Sequence, residues 1–277
     1  APRSGPLADN TPTRLTPRSG LRRNSSVRPA EPALRIPTQL LFAKLAGESH
    51  VVLAVSGGSD SVAMMRLAQE WAKDIDPSLK LSVLTVNHGL RPEAASEAAQ
   101  VAKWCYELSL PHQILHWQGV KPTTGVQAKA RAARYDLMSA WCAANGANFL
   151  LTAHTLDDQA ETVLMRQRRT DTAESLRGIW ETASWNGIEI FRPLLGVKRA
   201  KLRKYLSHLD QPWIDDPSNF DVSYERVRLR SELASEDARM EALAGITAAA
   251  GHEARRLAKA AKDWNLQHLK SYLEGYG

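Results

Sequence analysis

Apolar and polar positions switch between two periods along the middle of this 277-residue chain. Short unbroken apolar runs occur at 51–56 (VVLAVS), 81–87 (LSVLTVN), 112–117 (HQILHW) and 148–154 (NFLLTAH). Each is of strand length and rich in β-branched or aromatic residues. Between them the pattern shifts to helical spacing, over 61–73, 94–108, 126–144 and 157–166. In the longest of these, Ala132, Tyr135 and Ala143 fall on the apolar side. Strands separated by helices of this length require crossover connections, so the expected fold is α/β, with a mainly parallel, doubly wound sheet. In such sheets ligands sit beyond the C-terminal ends of the strands. The residues that close each run are therefore the ones to inspect.

The first run stops abruptly at Ser56-Gly57-Gly58-Ser59-Asp60-Ser61. A Gly-rich turn between strand and helix presents backbone N–H groups to a phosphate. Gly57 and Gly58 permit close backbone approach, and Ser56, Ser59 and Ser61 add hydroxyls. Asp60 would repel a bare phosphate, but suits a divalent cation that bridges to one. The loop is not a Walker A sequence, since no Lys follows the glycines, and it lacks the third Gly of a dinucleotide fingerprint. An ordinary turn of small residues is the plain alternative.

Two further runs end in chemically capable groups. The second leads into Asn87-His88-Gly89-Leu90-Arg91, and the fourth into His154-Thr155-Leu156-Asp157-Asp158-Gln159-Ala160-Glu161. Asp158 and Glu161 lie three apart on one helix face. Acids at a helix start also complement its dipole, and Asp157 reads equally as a cap. With Asp60 across the crevice, the acids can bind Mg²⁺ and an amine. His88 and His154 read either as site residues or as packed histidines. Arg131 and Arg134, three apart in ARAARY, are either a solvated face or cations set against phosphate.

Charge is unevenly spread. Lys and Arg number 36 against 30 Asp and Glu, a net +6 compatible with nucleic acid but not diagnostic of it. Residues 1–35 hold seven Arg, six Pro and no Lys, with only Asp9 and Glu31 as acids, and read as a disordered basic arm. Transit segment, RNA-touching tail and artificial extension all stay open for it. The chain does not begin with Met, so an N-terminal portion is expected to have been removed. A second basic zone runs through Lys198, Arg199, Lys201, Arg203 and Lys204, with no acid from Gly196 to His208. Leu202, Tyr205, Leu206 and Leu209 give that helix its buried stripe. Arg226, Arg228 and Arg230 follow, and together these cations read as a phosphate-contacting RNA surface. Trp213, Phe220 and Tyr224 either stack on bases or belong to the core, the core reading being favoured. Residues 231–277 have helical spacing and form a short helical C-terminal appendix.

The two cysteines, Cys105 and Cys142, lie far apart inside predicted helices. They are expected as buried free thiols, which suits a reducing, cytoplasmic setting. No apolar run reaches membrane-spanning length and no signal-peptide core opens the chain.

Together, AVSGGSDS, VNHGLR, ARAARY, TAHTLDDQAET, RPLLGVKRAKLRKYL and WIDDPSNFDVSYERVRLR resemble the tRNA(Ile)-lysidine synthetase family, a branch of the PP-loop ATP pyrophosphatases. SGGxDS alone marks the superfamily; the combination in this order is specific. The resemblance implies an adenine nucleotide alpha hydrolase-like fold, with a PP-loop ATP-binding catalytic domain over 36–195, completed by the basic region 196–230. It implies a ligase that takes ATP, Mg²⁺, free L-lysine and the isoleucine tRNA with anticodon CAU. The C2 oxygen of the wobble cytidine attacks the α-phosphate, pyrophosphate leaves, and the lysine ε-amine then displaces AMP to give lysidine. By position, Ser56 to Ser61 with Asn87 and His88 hold the nucleotide, and Asp60 and Asp158 the metal. Asp60, Asp158, Glu161, Arg131 and Arg134 carry catalysis. The partner is tRNA, no membrane is involved, and the protein is a monomer or homodimer.

The chain departs from the family pattern at three places. Arg169-Thr170-Asp171-Thr172 stands where a Gly-rich stretch is usual, Thr155 where a second His is common, and Arg226-Val227 where an Arg-Asn pair is frequent. Longer members carry further C-terminal domains, so a short form or a truncated one is expected. Two other readings remain: a PP-loop tRNA thiolase, which needs a reactive Cys, and a relative that binds nucleotide or RNA without catalysis.

Overall fold

In a computed structural model, residues 36–75, 77–169 and 178–215 are described, with Arg228, Leu229, Ala242 and Gly245. The arm 1–35, the 170–172 departure, Phe220, Tyr224, Arg226, Val227, Arg230 and nearly all of the 231–277 appendix lie outside the described residues.

The apolar runs form strands where their composition places them: β1 (His50–Ala54), β2 (Lys80–Asn87), β3 (His112–His116) and β4 (Phe149–Leu151). The helices are the short α1 (Thr38–Leu41), then α2 (Ser59–Ile75), α3 (Ala94–Glu107), α4 (Val126–Ala144), α5 (Leu156–Gln167) and α6 (Arg199–His208). A hairpin absent from the sequence expectation completes the sheet, β5 (Thr182–Trp185) and β6 (Ile188–Phe191). Its turn is Asn186-Gly187, with φ of 49° and 81°, the left-handed pair that tight hairpins require.

The sheet order is β3-β2-β1-β4-β6-β5. All neighbouring pairs are parallel except β5 with β6. The chain builds outward from β1 through β2 to β3, then returns to lay β4 on the other side of β1. The switch point of the sheet therefore lies between β1 and β4, and their following loops open side by side.

Both faces are covered. Val52, Leu84, Leu150 and Ile190 pack against Tyr135, Met138 and Cys142 of α4. Alternate strand residues, among them Val51, Leu53 and Val83, point to the opposite face, where α2 and α3 lie. Ala143, expected on the apolar side of α4, is exposed; Cys142 and Met138 take the buried places because the stripe is set by Tyr135. Leu202, Tyr205 and Leu206 dock α6 on α2, and the Tyr205 hydroxyl donates to Glu70 at 2.6 Å. Cys105 and Cys142 are free and buried, and burial pushes each thiol up to about 12. No helix among the described residues is long and apolar enough to cross a membrane.

Candidate active site at the β1–β4 switch

The loop after β1 is closed by its own hydroxyls. Ser61 Oγ donates to the Gly58 carbonyl at 2.9 Å and accepts from the Ser56 N–H at 3.2 Å. Ser59 and Ser61 are buried, so these hydroxyls shape the turn. The two glycines differ in kind. Gly57 has φ +96°, and a Cβ there would lie 2.7 Å from Ile214 Cδ1 and 3.3 Å from Val101 Cγ2. The Ile214 N–H also donates to the Gly57 carbonyl at 2.9 Å, so the 213–215 segment is clamped onto the loop. At Gly58 the nearest atom to an added Cβ is Ser56 Oγ at 3.8 Å. Gly57 is thus required by packing, whereas Gly58 leaves open space beside the start of α2, where helix N–H groups lack intrahelical acceptors.

Across the switch point, the loop after β4 enters α5 through Thr155. Its hydroxyl caps the helix, and Asp158 returns the bond: the Thr155 N–H and hydroxyl each donate to Asp158 Oδ2 at 2.8 Å. The capping acid is therefore Asp158, at the third helical position, and Thr155 supplies the hydroxyl such a box needs. Asp157 instead accepts the backbone N–H of Arg199 at 2.8 Å, which caps the start of α6 from another helix.

Arg199 stands at the centre of this arrangement. Its Nε donates to Asp60 Oδ2 at 2.8 Å and its Nη2 to Asp158 Oδ1 at 3.1 Å. Its Nη1 lies 3.5 Å from Glu161 Oε1 and 3.9 Å from Asp157 Oδ1. The side chain is only 12% exposed, and that of Glu161 1%. This corrects the expectation that Arg199 belongs to an outward RNA-facing surface. It also places a guanidinium between Asp60 and Asp158, where a shared metal was expected. The reason is helix geometry: Arg199 precedes Leu202 by three and follows the same side of α6 that docks inward.

Electrostatics separate the two carboxylates on that guanidinium. Burial pushes the Asp60 carboxyl up, and Arg199 offsets this only in part. At Asp158 burial acts the same way, but Arg199 and the Thr155 donors outweigh it and hold the carboxyl below its ordinary value. As pH falls, Asp60 takes a proton before Asp158. Arg199 itself is held above its usual range, because the surrounding carboxylates outweigh its burial.

Arg203, one turn on, also faces the loop. Its Nε donates to Ser59 Oγ at 3.3 Å and its Nη2 to Asp215 Oδ1 at 3.2 Å, while its guanidinium lies over Trp213. Lys198 and Lys201 are half-buried, and Lys204 and Arg228 are exposed. Leu229 packs on Ala160, Val163 and Leu164 of α5, which brings Arg228 to the same edge of the fold.

A second group gathers past β2 and β3. Arg134 of α4 donates through Nε at 3.2 Å and Nη2 at 3.0 Å to Nε2 of His88. An acceptor Nε2 requires the neutral ring with its proton on Nδ1. Burial, then Arg134 and Lys121, push His88 down to about 4. Trp117 meets the ring edge-on, and Lys121 lies over Trp117. Arg131 stacks over Tyr135. Asn87 accepts the Gly89 N–H at 2.9 Å and shapes the turn. His154 Nδ1 lies 3.1 Å from the Thr152 hydroxyl. Arg192, which sequence reasoning passed over, directly follows β6, is buried and donates to the Trp180 carbonyl at 2.7 Å. A cation at a strand end was the signal available for it.

Three outcomes follow from this geometry. Gly57→Ala lowers the thermal midpoint, because both φ and Ile214 oppose a Cβ; about 1–3 kcal/mol is expected from the backbone alone. Gly58→Ala leaves the midpoint unchanged, since its Cβ meets only Ser56 Oγ, at an ordinary contact distance of 3.8 Å. In nitrogen-15 NMR, His88 stays neutral, with the proton on Nδ1, until the pH nears 4. Because its unfolded value is higher, its contribution to stability is present above about pH 6.5 and is lost as pH falls toward 4.

The loop, the α5 acids and α6 all fall within residues 32–237, which match the family model described as the PP-loop domain. The tRNA(Ile)-lysidine synthase of Bradyrhizobium diazoefficiens is 44% identical over 211 residues, covering 75% of this chain and 58% of that protein. That of Rhodopseudomonas palustris is 44% identical over 222 residues, covering 78% and 64%. The chain thus spans less than two-thirds of the length of these curated relatives. Among solved structures, the U34-tRNA thiolase NcsA from Methanococcus maripaludis, with its [4Fe-4S] cluster, superposes with a TM-score of 0.64 at 18% identity, covering 78% of each chain. That likeness extends the agreement in fold beyond the reach of sequence. With half of its length and more matched by one family model, the chain belongs to the PP-loop domain family.

Proposed function

We propose that the chain catalyses the ATP-dependent ligation of lysine to the wobble cytidine of the CAU-anticodon isoleucine tRNA. The observation that carries this reading is the meeting of the SGGSDS loop with Asp158 and Glu161 around Arg199, in a chain whose curated relatives are named tRNA(Ile)-lysidine synthase.

The open space at Gly58 and the start of α2 receive the ATP phosphates. Arg203, already on Ser59, lines the same loop and holds the leaving pyrophosphate. The residues present fit one divalent cation held through Asp60. Among the described residues, the Oδ1 atom of Asp60 takes only the Ser59 hydroxyl, at 3.2 Å. No group of three His, Cys, Asp or Glu among them is arranged to hold a metal, so phosphates and water complete the shell. When bound, Mg²⁺ supplies charge neutralisation at the phosphates. The acidic wall of Asp158 and Glu161 attracts the lysine ammonium, which gives up a proton before the free amine attacks C2 and AMP leaves. Arg134, fixed by neutral His88, presents a cation to charge that develops on the base or phosphate. The wobble base must leave its stack to reach the loop, which costs least in a single-stranded anticodon. Lys198, Lys201, Lys204 and Arg228 make the tRNA-facing surface around that opening.

A thiolase mechanism finds no support in the thiols. Cys105 and Cys142 are the chain's two cysteines, and both are buried with thiols pushed up to about 12.

The test is incorporation of labelled lysine into the CAU isoleucine tRNA with Mg²⁺-ATP. Incorporation that falls by about 10³-fold or more in Asp60→Ala, and persists in the double Cys105→Ser, Cys142→Ser variant, is the expected result. ATP binding without pyrophosphate release, in the presence of tRNA and lysine, contradicts the ligase reading.

A further inference from the structure

Arg199 has a place in the site that neither phosphate binding nor RNA binding explains. Its three guanidinium nitrogens address three carboxylates carried by two helices: Nε to Asp60 of α2, Nη2 to Asp158 and Nη1 to Glu161 of α5. The residue is fixed. Its own N–H is held by Asp157 at 2.8 Å, and Leu202 and Leu206 seat α6 on its buried side. The Tyr205 hydroxyl, on Glu70, ties the same helix to α2.

We propose that Arg199 is a positioning residue, the permanent counter-cation of the active site, filling the place between Asp60 and Asp158 that a second divalent cation would otherwise take. The site then runs with a single divalent cation, brought in with the nucleotide. Both oxygens of Asp158 are already committed, Oδ2 to the Thr155 cap and Oδ1 to Arg199. Asp60 gives Oδ2 to Arg199 at 2.8 Å, while its Oδ1 takes only the long 3.2 Å bond from the Ser59 hydroxyl, a neutral donor that a metal can displace or share. A guanidinium suits this duty because its charge is permanent and its planar fork fixes the angle between the two helices. It holds the carboxylates in register before any ligand binds. It also neutralises too little to close the site, since Asp60, Asp157, Asp158 and Glu161 surround one cation. The residual negative charge is what draws in further cations.

The inference rests on the loop being a nucleotide-phosphate site and not on the identity of the acceptor. The experiment therefore reads metal binding directly. Mn²⁺ is titrated by electron paramagnetic resonance into the whole chain, as the native protein, Arg199→Gln and Arg199→Lys, each with and without ATP. The native protein should take up no stoichiometric Mn²⁺ without ATP and one per chain with it. Arg199→Gln should bind Mn²⁺ without ATP at least about tenfold more tightly than the native protein, because it leaves the carboxylates uncompensated. Added methylguanidine should displace that ion. Arg199→Lys keeps the charge and should stay without ATP-free Mn²⁺, while its kcat falls with KM for ATP little changed, since an ammonium cannot fork between two helices. ATP-free binding by Arg199→Gln no tighter than native would overturn the proposal. So would two Mn²⁺ per chain in the native protein with ATP, a count that decides the question even if Arg199→Gln does not fold. A native protein that binds no ATP would sink the nucleotide reading, and the ATP-free comparison would still decide the role of Arg199.

Discussion

Carboxylates removed from water must be given a cation, and in this fold the cation is Arg199. Everything at the C-terminal edge of the sheet is arranged around that demand. Asp60 arrives with α2, Asp158 and Glu161 arrive with α5, and α6 delivers the guanidinium that pairs with all three. Without it the first turns of α2 and α5 would repel each other across the switch point. The same contact fixes the loop after β1 from its far side, because α6 continues into the segment whose Ile214 clamps Gly57.

The position of that contact follows from strand order. Since β1 and β4 are neighbours and both run parallel, their trailing residues emerge together. Residues nearly a hundred positions apart become one site through a property of the sheet, not of either motif. The packed core on both faces holds that adjacency rigid, and the cluster under Leu150 and Tyr135 links α4, with its Arg134, to the same strands. His88 extends the design past β2. A ring kept neutral by burial serves as an acceptor for Arg134, so among the described residues one cation is oriented without a carboxylate to cancel its charge.

Much of this was legible in the chain. Strand and helix periods marked β1 to β4 and the helices between them because each strand is a short buried run and each helix an amphipathic one. The SGGSDS and HTLDDQAE motifs were found at strand ends, where the fold puts chemistry. The β5–β6 hairpin escaped, although Asn186-Gly187 is a strong turn signal, since its strands are only four residues each and carry polar positions. Arg199 was misplaced for a different reason. A count of charges along α6 cannot say which face each cation takes. The spacing gave a partial cue: Arg199 precedes buried Leu202 by three residues, but Arg203, three before buried Leu206, stays exposed like Lys204. Asp158 rather than Asp157 caps α5, because capping depends on which acid reaches back to Thr155, a matter of one residue in the helical turn, and Asp157 caps α6 instead.

The most direct measurement is a crystal structure with Mg²⁺ and a non-hydrolysable ATP analogue. The account predicts the phosphates over Gly58 and Ser59, facing Asp60, with the Ile214 clamp on Gly57 intact. A nucleotide seated away from this loop, on the outer face of α6 or beyond β3, would contradict it.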